Sequence, residues 1–147
     1  MIRIIDYGVG NIEAFLNAFK SLNILAGRAR NTEELKDATH LILPGVGRFD
    51  HAMDKLIASG LRNVLDDLVL NKETPILGVC VGMQMLASSS EEGVRFGLGW
   101  IPGSVRAFKD GNSCQKKLRL PHMGWNDVCP SVVSNQLFKG METDSKF

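Results

Sequence analysis

The sequence predicts an α/β domain built on an open parallel sheet with helices on its faces. Up to about residue 90, short apolar runs of strand length alternate with longer segments whose apolar residues recur every three or four positions. Strands alternating with helices of this length imply βαβ units. The second observation is size and composition. A chain of 147 residues, 44% hydrophobic and 22% charged, can bury a core without disulfide or metal staples.

Taken in order, Ile2–Ile5 reads as a buried strand ending at Asp6. Asn11 can cap a helix whose face carries Ile12, Phe15, Leu16 and Phe19. Ile24–Arg30 is a weaker strand, and Asn31 with Glu34 resembles a capping box opening a short helix. Leu41–Leu43 is a strand stopped by Pro44-Gly45. Phe49, Ala52, Met53, Leu56 and Ile57 form a helical stripe closed by Gly60, and Leu61, Val64, Leu65, Leu68 and Val69 form a second. Pro75–Val79 is an apolar strand leading into a helix over Gly82–Ala87. On that helix Met83, Met85 and Leu86 read as packing, and Ser88-Ser89-Ser90 reads as its exit. After Gly93 the glycines at 93, 97, 99 and 103, with Pro102, punctuate short pieces such as Val105–Phe108 and Leu118–Leu120. This texture predicts a short antiparallel section appended to the same domain, with no linker between the halves.

Several function classes are excluded at this level. Seventeen Lys and Arg against sixteen Asp and Glu leave +1, and no basic run exceeds Lys116-Lys117. Neither nucleic acid nor an acidic membrane finds an electrostatic source of affinity. Cys80, Cys114 and Cys129 form no CxxC pair and leave one thiol over in any disulfide scheme, so neither a disulfide scaffold nor a zinc site fits. The N-terminal apolar stretch is too short for a secretory leader, and no window reaches membrane-spanning length. A cytoplasmic protein is expected. Gly8-Val9-Gly10 lacks the third glycine of a dinucleotide fingerprint, there is no Walker A motif, and no cofactor is indicated.

The sharpest chemical feature is Gly78-Val79-Cys80-Val81-Gly82 at a strand-to-helix junction. A nucleophile elbow has this form: the nucleophile sits on a strained turn, and small residues two before and two after let strand and helix approach. The helix start aims unpaired N–H groups at the site. A buried structural cysteine followed by a helix start is the competing reading. Gln84 lies four residues after Cys80, one helical turn on, where it can hydrogen-bond a ligand on the sulfur. Pro44-Gly45-Val46-Gly47 ends another strand of the same presumed sheet, and strand carboxyl ends share the edge where ligands bind. Together these make a thiol facing a candidate oxyanion hole.

These segments, in order with Asp6-Tyr7-Gly8-Val9-Gly10-Asn11, Gly97-Leu98-Gly99-Trp100-Ile101-Pro102-Gly103 and Pro121-His122-Met123-Gly124-Trp125-Asn126, resemble the class I (triad) glutamine amidotransferases. Within that class the match is to glutaminase subunits of imidazole glycerol phosphate synthase, and it runs the length of the chain. The resemblance implies a flavodoxin-like, Rossmann-like open sheet. It implies that Cys80 attacks the side-chain amide of glutamine to form a thioester and release ammonia. The Val81 N–H and one from Gly45, Val46 or Gly47 would hold the oxyanion, and Gln84 would help hold substrate. The ammonia would pass to a cyclase (β/α-barrel) subunit in a heterodimer, with Met123, Trp125 and Asn126 near the shared face.

One departure stands out. The family completes its triad with a late His-Pro-Glu segment that this sequence does not contain. His40 and His51 read as ordinary strand and helix residues, and His122 belongs to a segment that does not supply the base. The expectation is therefore a C-terminally incomplete amidotransferase, whether a fragment, a truncated product or a short record, with little turnover of its own. Two alternatives remain at this point. One is a paralogous ammonia-supplying subunit for a surface-polysaccharide sugar amidotransferase, suggested by Asn11-Ile12-Glu13-Ala14-Phe15. The other is a non-catalytic binding module that kept the fold.

Overall fold

The computed structural model describes residues 1–107 and 124–126. The chain divides into two compact units, Met1–Ala107 and Phe108–Phe147, and the architecture below is that of the first.

Four parallel strands, β1 (Ile2–Ile5), β2 (Ala26–Ala29), β3 (His40–Gly45) and β4 (Ile76–Cys80), form a sheet in the order β2-β1-β3-β4. The order reverses between β1 and β3, and all four carboxyl ends lie on one edge. Helices α1 (Ile12–Ser21), α2 (Phe49–Ala58) and α3 (Arg62–Asp66) connect them, and α4 (Val81–Met85) follows β4 directly. The two-residue side-chain period of a strand divides the core. Ile4 and Ile42 pack with Ile12, Phe15, Leu16 and Phe19 of α1 on one face. Ile5, Leu41 and Leu43 pack with Phe49, Met53, Leu56, Leu65 and Met85 on the other.

The Asn11 cap forms, and the Asn31 box forms in half, since the Glu34 carboxylate accepts from the Arg30 N–H at 2.6 Å rather than from that of Asn31. Asn11 Oδ1 accepts from the Ala14 N–H at 3.2 Å, and Asn31 Oδ1 accepts from the Glu34 N–H at 3.1 Å. The latter opens only a 3₁₀ turn, Glu33–Leu35. The second apolar stripe divides into α3 and a π turn, Asp67–Asn71, closed by a Lys72 N–H bond to the Asp67 carbonyl at 3.0 Å.

Two expectations need correction. The helix after β4 stops at Met85, and the serine run is a strand, β5 (Ala87–Ser90). The segment Ile101–Val105 is β6, and it pairs with β5 in parallel rather than antiparallel fashion. The physical reason is the connection. Residues 91–100 run back along β5, with the Gly97 N–H on the Ser88 carbonyl at 2.9 Å and the Leu98 N–H on the Met85 carbonyl at 2.8 Å, so β6 begins beside Ala87. The Leu118–Leu120 piece lies outside the described residues, as do Cys114, Cys129 and Lys116-Lys117.

Candidate active site

Cys80 is the last residue of β4, paired in register with Gly45, the last residue of β3. Its backbone sits at φ 56° and ψ −121°, a region that L residues avoid and that marks a functional turn. Its thiol is free and solvent-exposed, at the edge where the strand ends converge. It is not sealed in the core, which removes the reading of a buried structural cysteine.

Three glycines make the turn sterically possible. A Cβ on Gly78 would lie 2.5 Å from the Met83 Cα, and one on Gly82 would lie 2.9 Å from the Leu43 carbonyl carbon. A Cβ on Gly45 would press on the Gly82 backbone, with the Val81 carbonyl carbon at 3.0 Å. Strand β3, its exit loop and α4 therefore meet main chain against main chain. Val81 is buried at the head of α4, where the first N–H groups of a helix lack intrahelical partners. A helix of five residues carries little macrodipole, so its contribution is these N–H groups rather than a field.

The second loop leaves β3 at Gly45. Val46 projects into solvent, and Gly47 takes φ 89°, where a side chain would be strained. Gln84, on α4, has its Oε1 buried without a hydrogen-bond partner among the described residues. A buried acceptor left unmatched is costly and calls for a donor. Met85 and Leu86 pack in the core as expected, whereas Met83 is 58% exposed and faces away from it.

Among the expected interface residues, Trp125 is largely exposed, and the Asn126 side-chain amide donates to the Gly124 carbonyl at 3.2 Å. Met123 lies outside the described residues, as does His122. His40 begins β3 opposite Ile2, at the amino edge of the sheet, so about 16 Å of strand separates it from Gly45 and the Cys80 side. His51 is exposed in the first turn of α2.

Two contributors went unread in the sequence. Tyr7 is buried, and its hydroxyl donates to the Pro44 carbonyl at 2.7 Å. Burial pushes its phenol above the ordinary range. The Gly8-Val9-Gly10 run beside it read as an incomplete dinucleotide fingerprint, while the one tyrosine of the chain carried no signal of its own. Asp50, in the first turn of α2, accepts from the Arg95 N–H at 2.9 Å and the Val94 N–H at 3.1 Å, which holds the 93–96 loop. Those backbone bonds, Arg95 first, keep its carboxyl below the usual carboxylate range. Among the described residues no helix is long and apolar enough to cross a membrane.

With this geometry in hand, the relatives can be placed. The family model described as "Glutamine amidotransferase class-I" matches residues 3–146. A protein of Bdellovibrio bacteriovorus named imidazole glycerol phosphate synthase subunit HisH is 57% identical over 147 residues, covering 100% of this chain and 71% of that protein. The same-named subunit of Leptospira interrogans is 52% identical over 147 residues with the same coverage. Pseudomonas aeruginosa has a subunit HisH 2 that is 44% identical over 148 residues, covering 100% of this chain and 70% of the relative. A solved structure titled as a glutamine amidotransferase superposes with a TM-score of 0.59 at 21% identity, over 78% of this chain and 59% of that one. That last likeness speaks to fold.

Proposed function

The chain belongs to the class I glutamine amidotransferases, and from that premise we propose that Cys80 is the nucleophile that releases ammonia from glutamine. The chain is a glutaminase subunit of the imidazole glycerol phosphate synthase kind, supplying ammonia for histidine biosynthesis. The Cys80 thiolate adds to the side-chain amide carbon, and the amide oxygen takes the negative charge. The Val81 N–H and a donor from the Gly45–Gly47 loop face that oxygen, each donor contributing about 3 kcal/mol of transition-state stabilisation. The C–N bond then breaks, ammonia leaves carrying the proton that the Cys80 thiol gave up, and water hydrolyses the thioester to glutamate and returns the thiol. Gln84, one helical turn after Cys80, helps hold the substrate.

The observation that carries this reading is the exposed cysteine at φ 56° beside Gly45. Ammonia passes to a cyclase barrel in a heterodimer, with Met123, Trp125 and Asn126 toward that partner, and the pair works in the cytoplasm. Large side chains dominate interface energetics, so Trp125→Ala is the substitution that weakens the complex most.

The test is covalent labelling. A chloromethyl ketone shaped like glutamine forms a C–S bond at Cys80 as chloride leaves, and mass spectrometry finds the adduct there and not in Cys80→Ala. The sequence holds no His-Pro-Glu segment, and loss of a general acid–base costs on the order of 10²–10⁴-fold. The 147-residue chain is thus labelled but turns over glutamine slowly, and turnover at a full enzymatic rate would overturn that part of the proposal.

A further inference from the structure

We propose that Tyr7 is a positioning residue for the oxyanion hole, its hydroxyl fixing the Pro44–Gly45 peptide against Cys80. The inference rests on the reading of Cys80 given above and assigns a task to the Asp6–Asn11 segment, which that reading leaves idle. The ladder between β1 and β3 ends at the pair Ile4 and Ile42. Two residues further on, the buried Pro44 carbonyl has passed beyond the ladder, and the Tyr7 hydroxyl serves it at 2.7 Å. A peptide unit is planar and trans, so fixing the Pro44 carbonyl fixes the opposite direction of the Gly45 N–H. That N–H is turned toward β4, where Gly45 pairs with Cys80, so the hydroxyl fixes the point from which the next amides, Val46 and Gly47, leave the strand beside the sulfur.

A second contact presses Pro44 from another side. Gly10, at φ 104°, passes so near that a Cβ there would lie 2.9 Å from the Pro44 Cβ. The Tyr7 oxygen also lies 3.6 Å from the Met85 sulfur, so the same hydroxyl touches α4 behind the elbow. One buried phenol thus links the end of β1, the loop and the helix that carries Gln84. Burial disfavours its ionised form, so the proton stays on oxygen to be donated.

The experiment compares two electrophiles on the full chain. Iodoacetamide alkylates Cys80 at a saturated carbon and builds no oxyanion. The glutamine-shaped chloromethyl ketone reacts through a tetrahedral adduct whose oxygen needs the hole. Tyr7→Phe keeps the ring and removes the donor. The expected result is a fall of about 10-fold in the ratio of ketone to iodoacetamide rates, since a small misplacement of a catalytic group is enough to cost that much. The iodoacetamide rate itself stays unchanged, which a merely structural loss would not spare. Gly10→Ala pushes on Pro44 while keeping the hydroxyl, and it lowers the same ratio, so the test survives if Tyr7→Phe does not fold. A wild-type ratio in both variants overturns the proposal. A wild-type protein that shows no preference for the ketone overturns the reading of Cys80 itself, and this proposal with it.

Discussion

The two sheets of the described unit are held together in different ways. The four-stranded sheet is an apolar object: β3 buries Leu41, Ile42, Leu43 and Pro44 in succession, and its exit meets α4 through glycines with no room for a Cβ. The β5–β6 pair is a polar one. β5 is Ala-Ser-Ser-Ser, and its surroundings are tied by hydrogen bonds from elsewhere. Asp50 holds the 93–96 loop, and Asp66 receives the Trp100 indole N–H at 2.7 Å and the Arg62 guanidinium at 3.0 Å. Arg62 also donates to the Leu98 carbonyl at 3.2 Å. Steric fit builds the nucleophile's surroundings, while acceptors on α2 and α3 hold the ribbon beside them.

The difference can be broken at either end. The largest effect is expected from Gly82→Ala. The added methyl would meet the Leu43 and Pro44 backbone, which cannot swing aside, so a loss of about 3 kcal/mol or more in urea unfolding should accompany loss of Cys80 labelling. Asp66→Ala removes the partner of Trp100 and Arg62 but opens no clash. Roughly 2 kcal/mol should go, because hydrogen bonds to charged groups contribute this much, and Trp100 emission should shift when read in a Trp125→Phe background.

The smallest effect is expected at Asp50. Asp50→Asn should leave global stability nearly intact and speed amide hydrogen exchange at Val94 and Arg95. The pH dependence sharpens this. Because the folded carboxyl is held below its ordinary value, the tie persists from neutrality down through the unfolded value near pH 4. It is lost as the pH falls further, through the folded value. Protection of these two amides, taken relative to their intrinsic exchange rates at each pH, should therefore fall below about pH 4, while that of β3 persists.

The same division explains what was legible in the sequence. β1, β3 and β4 were readable as apolar runs of strand length: Ile2–Ile5, broken only by Arg3, then Leu41–Leu43, then Pro75–Val79. The elbow was readable because close main-chain approach demands glycine at Gly78 and Gly82. β5 was not. A serine run has no strand periodicity, and what makes it a strand is the return of residues 91–100 alongside it, bonded by backbone groups common to every sequence. Tyr7 was missed for a related reason. Its task depends on an acceptor 37 residues away, the Pro44 carbonyl, and nothing local announces that meeting. Asp50 is similar, an ordinary helix-start acid until the loop 44 residues on arrives.

The tight seam between Gly45 and Gly82 has one more consequence. Because loop and elbow meet main chain to main chain, side chains that point outward from the seam can be exchanged without moving the sulfur relative to its facing amides. Val46 and Met83, both projecting outward there, are thus positions where selectivity could be retuned by design while the reactive geometry is left undisturbed.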